Sequence, residues 1–313
     1  MKKNFWSLLN PSDIVDIIAP ASQSSPEKLS DGVQWLKSIG LHPRVPKDIL
    51  KTDLYFAARL ETQIEHLKEA IYSDSKAIWC LRGGYGSMRL IPHLKKLKPP
   101  KHPKLFIGFS DITSLHLFFT QHWNWPVIHG RMIGQMHPDL SSTPDRKLMT
   151  EIIFGKKKEH TFKRLKPLND SARENKSIQG MITGGNLRIM QSSLKTSWEV
   201  EAKGKILFIE DIGERGYSID RMLEQMIQAG IINHGLKAVI FGDFTQCLEK
   251  DGKDYTQKAL ERFSQKVSYP VLKGLPAGHG EDINYPIPFH TKCLLKLGTS
   301  GELICSYGGH HQS

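Results

Sequence analysis

The chain has few cysteines and no grouping among them. Cys80, Cys247, Cys293 and Cys305 lie far apart, without C-x-x-C spacing. That excludes a dense disulfide framework and a zinc-ribbon type of site, and predicts four reduced core residues. No apolar run approaches the length of a membrane span. The start, from Met1 to Leu9, imitates the basic and apolar parts of a signal peptide. Its apolar part stops at Asn10-Pro11, and no small-residue cleavage site follows. The expectation is therefore a cytoplasmic protein with no membrane partner. H-E-x-x-H spacing is missing around His129 and His137, and His310-His311 stand in a tail, so no designed metal site is expected. There is no repeat at a fixed period.

What is present is an ordinary globular composition, 39% hydrophobic and 24% charged over 313 residues, long enough for two domains. The formal charge is +11, with clusters at Arg89–Lys104 and Lys156–Lys166. Neither cluster has interleaved aromatics of the kind that stack on bases, so no nucleic-acid partner is expected and both predict solvated lysine faces.

The order of elements is mostly strand then helix. Val15–Ala19 predicts a first strand, Pro26–Ile39 a helix stopped by Gly40, Leu60–Tyr72 a second amphipathic helix, and Ala77–Leu81 a buried strand. Near-continuous apolar strands alternating with helices imply a parallel sheet covered on both faces. Ligands of such sheets sit at the carboxyl ends of the strands. Three stretches fall there. Leu105-Phe106-Ile107-Gly108 leads through Phe109 into Ser110, then a helix, which is the layout of a nucleophile elbow. Arg82-Gly83-Gly84-Tyr85-Gly86 offers free backbone N–H groups, yet lacks both the P-loop lysine and the G-x-G-x-x-G fingerprint. Val127-Ile128-His129-Gly130 is a third strand and turn.

Residues 156–178 are lysine-rich and poor in apolar residues, and predict a linker between a domain at 1–155 and another at 179–313. In the second half, Lys205–Asp211 is a buried strand ending in two carboxylates, Ile219–Ala229 and Tyr255–Val267 are helices, and Cys293–Leu297 with Glu302–Tyr307 predict a closing hairpin. A serine needs a base to take its proton and an acid to orient that base. The residues alone leave three bases open (His116, His129, His279) and three acids (Glu210, Asp211, Glu214). An elbow serine could equally be a helix N-cap, and a glycine pair only a tight turn.

Taken together, six stretches in order resemble the LD-carboxypeptidase family of serine peptidases, which includes murein tetrapeptide LD-carboxypeptidases and microcin-C self-immunity proteins. They are Ile17–Ser22, Leu81–Gly86, Ile107–Thr113, Gly184–Leu187, Phe208–Glu214 with Ile219–Leu223, and Leu275–Gly280. The resemblance covers nearly the whole chain. It implies an α/β fold: an N-terminal Rossmann-like parallel-sheet domain and a C-terminal α/β domain with its own sheet, the active site between them, often in a homodimer. It also implies Ser110 as nucleophile, His279 as general base and Glu210 as orienting acid, with the Gly84 and Asp111 N–H groups as oxyanion hole and no cofactor. The implied substrate is a murein tetrapeptide losing its terminal D-alanine during cell-wall recycling. Arg131 departs from the family pattern, where many relatives have proline. Charge complementarity makes Arg82 and Arg131 candidates for holding the terminal carboxylate. Two alternatives accompany this reading: hydrolysis of microcin-type aminoacyl adenylates, and non-catalytic nucleotide or nucleic-acid binding through Gly83-Gly84 and the lysines. The absence of tryptophan between Arg131 and Gly185 favours the peptide over the adenylate.

Overall fold

The computed structural model describes residues 6–232 and 235–308; the tail histidines His310 and His311 and the chain's first five residues lie outside them. The chain divides into two compact units. The first takes the chain through Lys158, with Tyr285–Ile287 and the residues from Tyr307. The second takes Glu159–Asn284 and Pro288–Ser306.

In the first unit, β1 (Ile14–Ile18) leads to α1 (Pro26–Ser38), β2 (His42–Arg44), α2 (Leu60–Tyr72) and β3 (Ala77–Cys80). A short α3 (Ile91–Leu94) precedes β4 (Leu105–Gly108), α4 (Thr113–His122), β5 (Val127–His129) and α5 (Pro144–Ile153). Helix α1 starts where expected because the Ser25 hydroxyl accepts the Lys28 N–H and Pro26 occupies the first turn. Parallel pairing joins β2 to β1, β1 to β3, β3 to β4 and β4 to β5. Every residue of β3 and β4 is buried, as strands covered on both faces must be. Trp79 and Phe106 are fully buried there; each such side chain contributes roughly 1.5–3 kcal/mol by burial.

The second unit holds β6 (Glu159–Pro167), α6 (Asp170–Arg173), β7 (Ser177–Asn186), α7 (Leu187–Ser192), β8 (Ile206–Ile212), α8 (Gly216–Gln228), β9 (Ala238–Thr245), α9 (Thr256–Lys266) and β10 (Val271–Lys273). Strand β11 (Ile287–Phe289), an edge strand of the six-stranded sheet that holds β1 to β5, precedes β12 (Lys292–Lys296) and β13 (Gly301–Ser306) of the second unit. This unit's strands close into a barrel in the order β10-β6-β13-β12-β7-β8-β9. The arc from β7 through β8 and β9 to β10 is parallel. The rest is antiparallel, including the β12–β13 hairpin that the sequence predicts.

The α/β class with a parallel N-terminal sheet and a separate C-terminal sheet matches the expectation; the closure of the second sheet goes beyond it. The stretch 156–178 differs from the linker expected there. It supplies β6, α6 and the start of β7. Only Phe162 and Leu165 are buried along β6, so a strand lying against β13 and β10 carries too little apolar signal to stand out from a loop.

Candidate active site

Strand β4 runs through Phe109 into Ser110. The Ser110 backbone has φ +63°, a left-handed conformation that costs a non-glycine residue of order 1 kcal/mol. A serine held this way at the end of a buried strand has its hydroxyl turned out of the sheet edge, as in a nucleophile elbow. Gly83 lies over it: a Cβ there would sit 3.1 Å from Ser110 Cβ, 3.3 Å from its Oγ and 3.4 Å from the Asp111 nitrogen. Glycine therefore leaves open the space above the hydroxyl and the Asp111 N–H. Gly84 follows with φ +96°.

The glycine turn is tied to the elbow by side chains that sequence reasoning did not single out. The Ser87 N–H donates to Asp111 Oδ2 at 2.8 Å, and the Ser87 hydroxyl donates to the Asp111 carbonyl at 2.7 Å. The Ser22 hydroxyl accepts the Tyr85 N–H at 3.0 Å. Burial pushes the Asp111 carboxyl up from its ordinary range, against the bonds from Ser87. The Asp111 side chain is thus an anchor, and its backbone N–H remains the group of chemical interest.

In the second unit, Asn186 on β7 pairs in register with Glu210 on β8. The Glu210 side chain is fully buried, and its Oε2 accepts a hydrogen bond from His279 Nδ1 at 2.6 Å. With Nδ1 donating, Nε2 is the ring nitrogen able to take a proton. Burial alone would lower the His279 pKa; the charge and hydrogen bond of Glu210, with Asp211 and Asp243, outweigh it and raise it. The loop that presents His279 is held on every side. The Gly278 N–H donates to Asn284 Oδ1 at 3.0 Å, the Asp243 N–H donates to the Ala277 carbonyl at 2.9 Å, and the Thr245 hydroxyl donates to the His279 carbonyl at 3.3 Å. Gly278 has φ +130°, and a Cβ there would fall 2.8 Å from Glu210 Oε2, so only glycine lets the loop approach the acid this closely.

Asp211 does different work from its neighbour. It accepts from Asn186 Nδ2 at 2.8 Å, from its neighbour Ile212 N–H at 2.8 Å and from Arg188 N–H at 2.9 Å, fastening the start of α7. Burial, then the charge of Glu210, pushes it up to about 7. The same two causes push Asp243 up to about 6. Glu214 accepts from Arg188 Nε at 2.8 Å and from the Ser218 hydroxyl at 2.5 Å. Of the three candidate acids, Glu210 is the one hydrogen-bonded to His279.

The other candidate bases are core residues. His116 and His129 are both fully buried. Burial pushes His116 down to about 3, and its ring meets Phe106 edge-on at 5.7 Å. His129 packs likewise on Phe109. Arg82 is exposed, with Nη1 donating to the Gln23 carbonyl at 2.5 Å. Arg131, the other residue considered for the substrate carboxylate, is buried. It is only 6% exposed, and its Nε donates to Asp145, itself 1% exposed. Its carbonyl accepts the Trp79 indole N–H at 2.8 Å. A buried cation must find a carboxylate, and Asp145, fourteen residues on, has no sequence signature marking it as that partner.

An elbow serine and a carboxylate-held histidine belong to the chemistry of serine hydrolases. Comparison with known proteins narrows the class. Residues 15–130 match the LD-carboxypeptidase N-terminal domain and residues 179–295 the LD-carboxypeptidase C-terminal domain. The chain belongs to the LD-carboxypeptidase family and is a serine carboxypeptidase. It is 40% identical to a Rickettsia conorii protein named as a carboxypeptidase, over 93% of this chain and 90% of that one. It is 29% identical to the murein tetrapeptide carboxypeptidase of Pseudomonas aeruginosa, over 85% and 88% of the two chains. The crystal structure of muramoyltetrapeptide carboxypeptidase from Oxalobacter formigenes superposes with a TM-score of 0.80 at 28% identity, covering 96% of this chain and all of that one (100%).

Proposed function

We propose that the protein is an LD-carboxypeptidase that releases the terminal D-alanine of murein tetrapeptides, with Ser110, His279 and Glu210 as its triad. The hydrogen bond from His279 Nδ1 to a buried Glu210 carries this reading, and the similarity to murein tetrapeptide carboxypeptidases supports the substrate class.

In this mechanism His279 Nε2 takes the Ser110 proton as Ser110 Oγ bonds to the carbonyl carbon of the scissile amide. The carbonyl oxygen becomes an oxyanion that accepts the N–H groups of Gly84 and Asp111; one such donor contributes about 10²–10³ in rate. The C–N bond then breaks, and the proton on Nε2 passes to the departing D-alanine amine. An ester to Ser110 remains. Water attacks it, giving its proton to His279; the ester C–O bond breaks to free the tripeptide, and His279 returns the proton to Ser110 Oγ. Glu210 holds the ring in one tautomer and stabilises its charged form in both steps. Arg82, exposed beside the glycine turn, holds the substrate's terminal carboxylate. The setting proposed is cytoplasmic cell-wall recycling by a homodimer; among the described residues no helix is long and apolar enough to cross a membrane.

The test is D-alanine release from a murein tetrapeptide by wild type and Ser110→Ala, with a metal chelator present. Release by wild type and none by the variant is the expected result. Cleavage of an aminoacyl sulfamoyl adenylate instead, with the tetrapeptide untouched, would move the substrate to the microcin branch of the family.

A further inference from the structure

The lysine cluster at 156–166 is not used by the peptidase chemistry, and part of it is placed unusually. In the β6–β13 ladder Phe162 faces Leu303 and Leu165 faces Gly301. Lys163 and Arg164 together therefore face Glu302 alone, which is a β-bulge. Both bulge residues are exposed while Phe162 and Leu165 on either side are buried. Arg164 has φ +63°, a left-handed conformation that favours glycine. The bulge thus keeps a strained arginine and turns two adjacent cations to one side of the strand.

They line a recess of about 390 Å³ together with Lys176, Lys296, Ser300 and Glu302, a volume suited to a small molecule. Lys176 reaches this wall from the start of β7 and Lys296 from the end of β12. Lys296 lies 3.6 Å from Glu302, and Lys176 is paired with Glu174 outside the recess. Among the described residues no ion pair involves Lys163 or Arg164. Each ammonium of Lys176 and Lys296 has N–H donors beyond its one carboxylate contact, so with Lys163 and Arg164 four cationic side chains offer donors to the oxygens of two adjoining phosphoryl groups. An arginine fork beside lysine point charges is the donor set that grips such oxygens.

We propose that this bulge and recess form a binding site for a small anion carrying a diphosphate group, separate from the peptidase chemistry. Within the second unit it lies at the Ser177 end of β7, whereas Asn186 at the other end pairs with Glu210. Ten strand residues span roughly 30 Å.

Titration calorimetry of the full chain with inorganic pyrophosphate tests this, with orthophosphate as the second probe and Lys163→Gln and Arg164→Gly as variants. The expected result is saturable pyrophosphate binding, about tenfold tighter than orthophosphate and weakened about tenfold or more in each variant. Peptidase activity stays at the wild-type level in both. Arg164→Gly also melts no lower than wild type, because glycine relieves the bulge. Lys163→Gln leaves the backbone untouched, so its loss of binding supports the site whatever Arg164→Gly does to the fold. No saturable binding by wild type, or wild-type affinity in Lys163→Gln, overturns the proposal. Equal affinity for orthophosphate overturns the diphosphate assignment.

Discussion

His279 Nδ1 lies 2.6 Å from Oε2 of Glu210, a carboxylate with no solvent exposure. A buried charge beside an imidazole favours the imidazolium, and it does so here against the opposing effect of burial. In the proposed mechanism His279 acts as a neutral base, so kcat/KM should rise as pH passes upward through the His279 pKa, above the ordinary histidine value of about 6.5. Glu210→Gln removes the charge that raises it. The expected outcome is a fall of about 10²–10⁴ in kcat/KM, with the remaining acid limb moved to lower pH. A pH–rate profile of the variant checks this, and an unmoved limb would mean that another group sets it.

Stability has the opposite pH dependence. Asp211 and Asp243 are raised to about 7 and about 6 from an ordinary 3.8, and His279 is raised too. A raised group stabilises the fold fully below its unfolded pKa, and that contribution is lost as pH climbs through the folded value. The melting temperature should therefore fall between about pH 4 and about pH 7, and fall less steeply in Asp243→Asn. Calorimetric melting across that window reads it; a rising or flat curve contradicts the assignment.

Two glycines separate activity from stability. Gly278→Ala meets both a φ of +130° and Glu210 Oε2 at 2.8 Å. It should lose about 1–3 kcal/mol of stability along with activity. Gly83→Ala meets the Ser110 side chain at 3.1–3.3 Å with no positive φ to violate. Its melting temperature should stay near wild type while kcat/KM drops by roughly tenfold to a hundredfold. Chemical denaturation and steady-state kinetics on both variants make the comparison.

The two arginines should differ in the same way. Arg131→Ala removes the Nε donor from Asp145, 1% exposed, and leaves it the Thr143 hydroxyl and Arg146; the protein should lose about 1–3 kcal/mol of stability. Arg82→Ala should fold as wild type and raise KM with kcat little changed, the pattern of lost uniform binding. An unchanged KM in Arg82→Ala removes its carboxylate role.

How much of this was legible in the sequence depends on the distance over which each feature is determined. The Ser110 elbow could be seen because Leu105–Gly108 is an apolar run ending in glycine, and the bounds of α2 because Leu60, Ile64, Leu67 and Ile71 mark one face. The neighbourhood of His279 could not, since Glu210 is 69 residues away. Residue chemistry left three bases and three acids open, and the choice among them came from the family resemblance. Asp243 and Asn284, which grip the histidine loop, carry no local signal. Neither does β6, whose pairing partners lie in β10 and β13 and whose sequence is mostly polar. Arg131 was considered for the substrate carboxylate on charge alone, and its pairing with Asp145 has no local signal either.

The central claim is that Ser110 is made nucleophilic by His279. Mass spectrometry of the full-length protein after exposure to an alkyl fluorophosphonate tests it most directly. The expected result is a single covalent adduct on Ser110 in wild type, formed at least about a hundredfold more slowly in His279→Ala. An adduct on another residue, or equal labelling rates in wild type and His279→Ala, would contradict it.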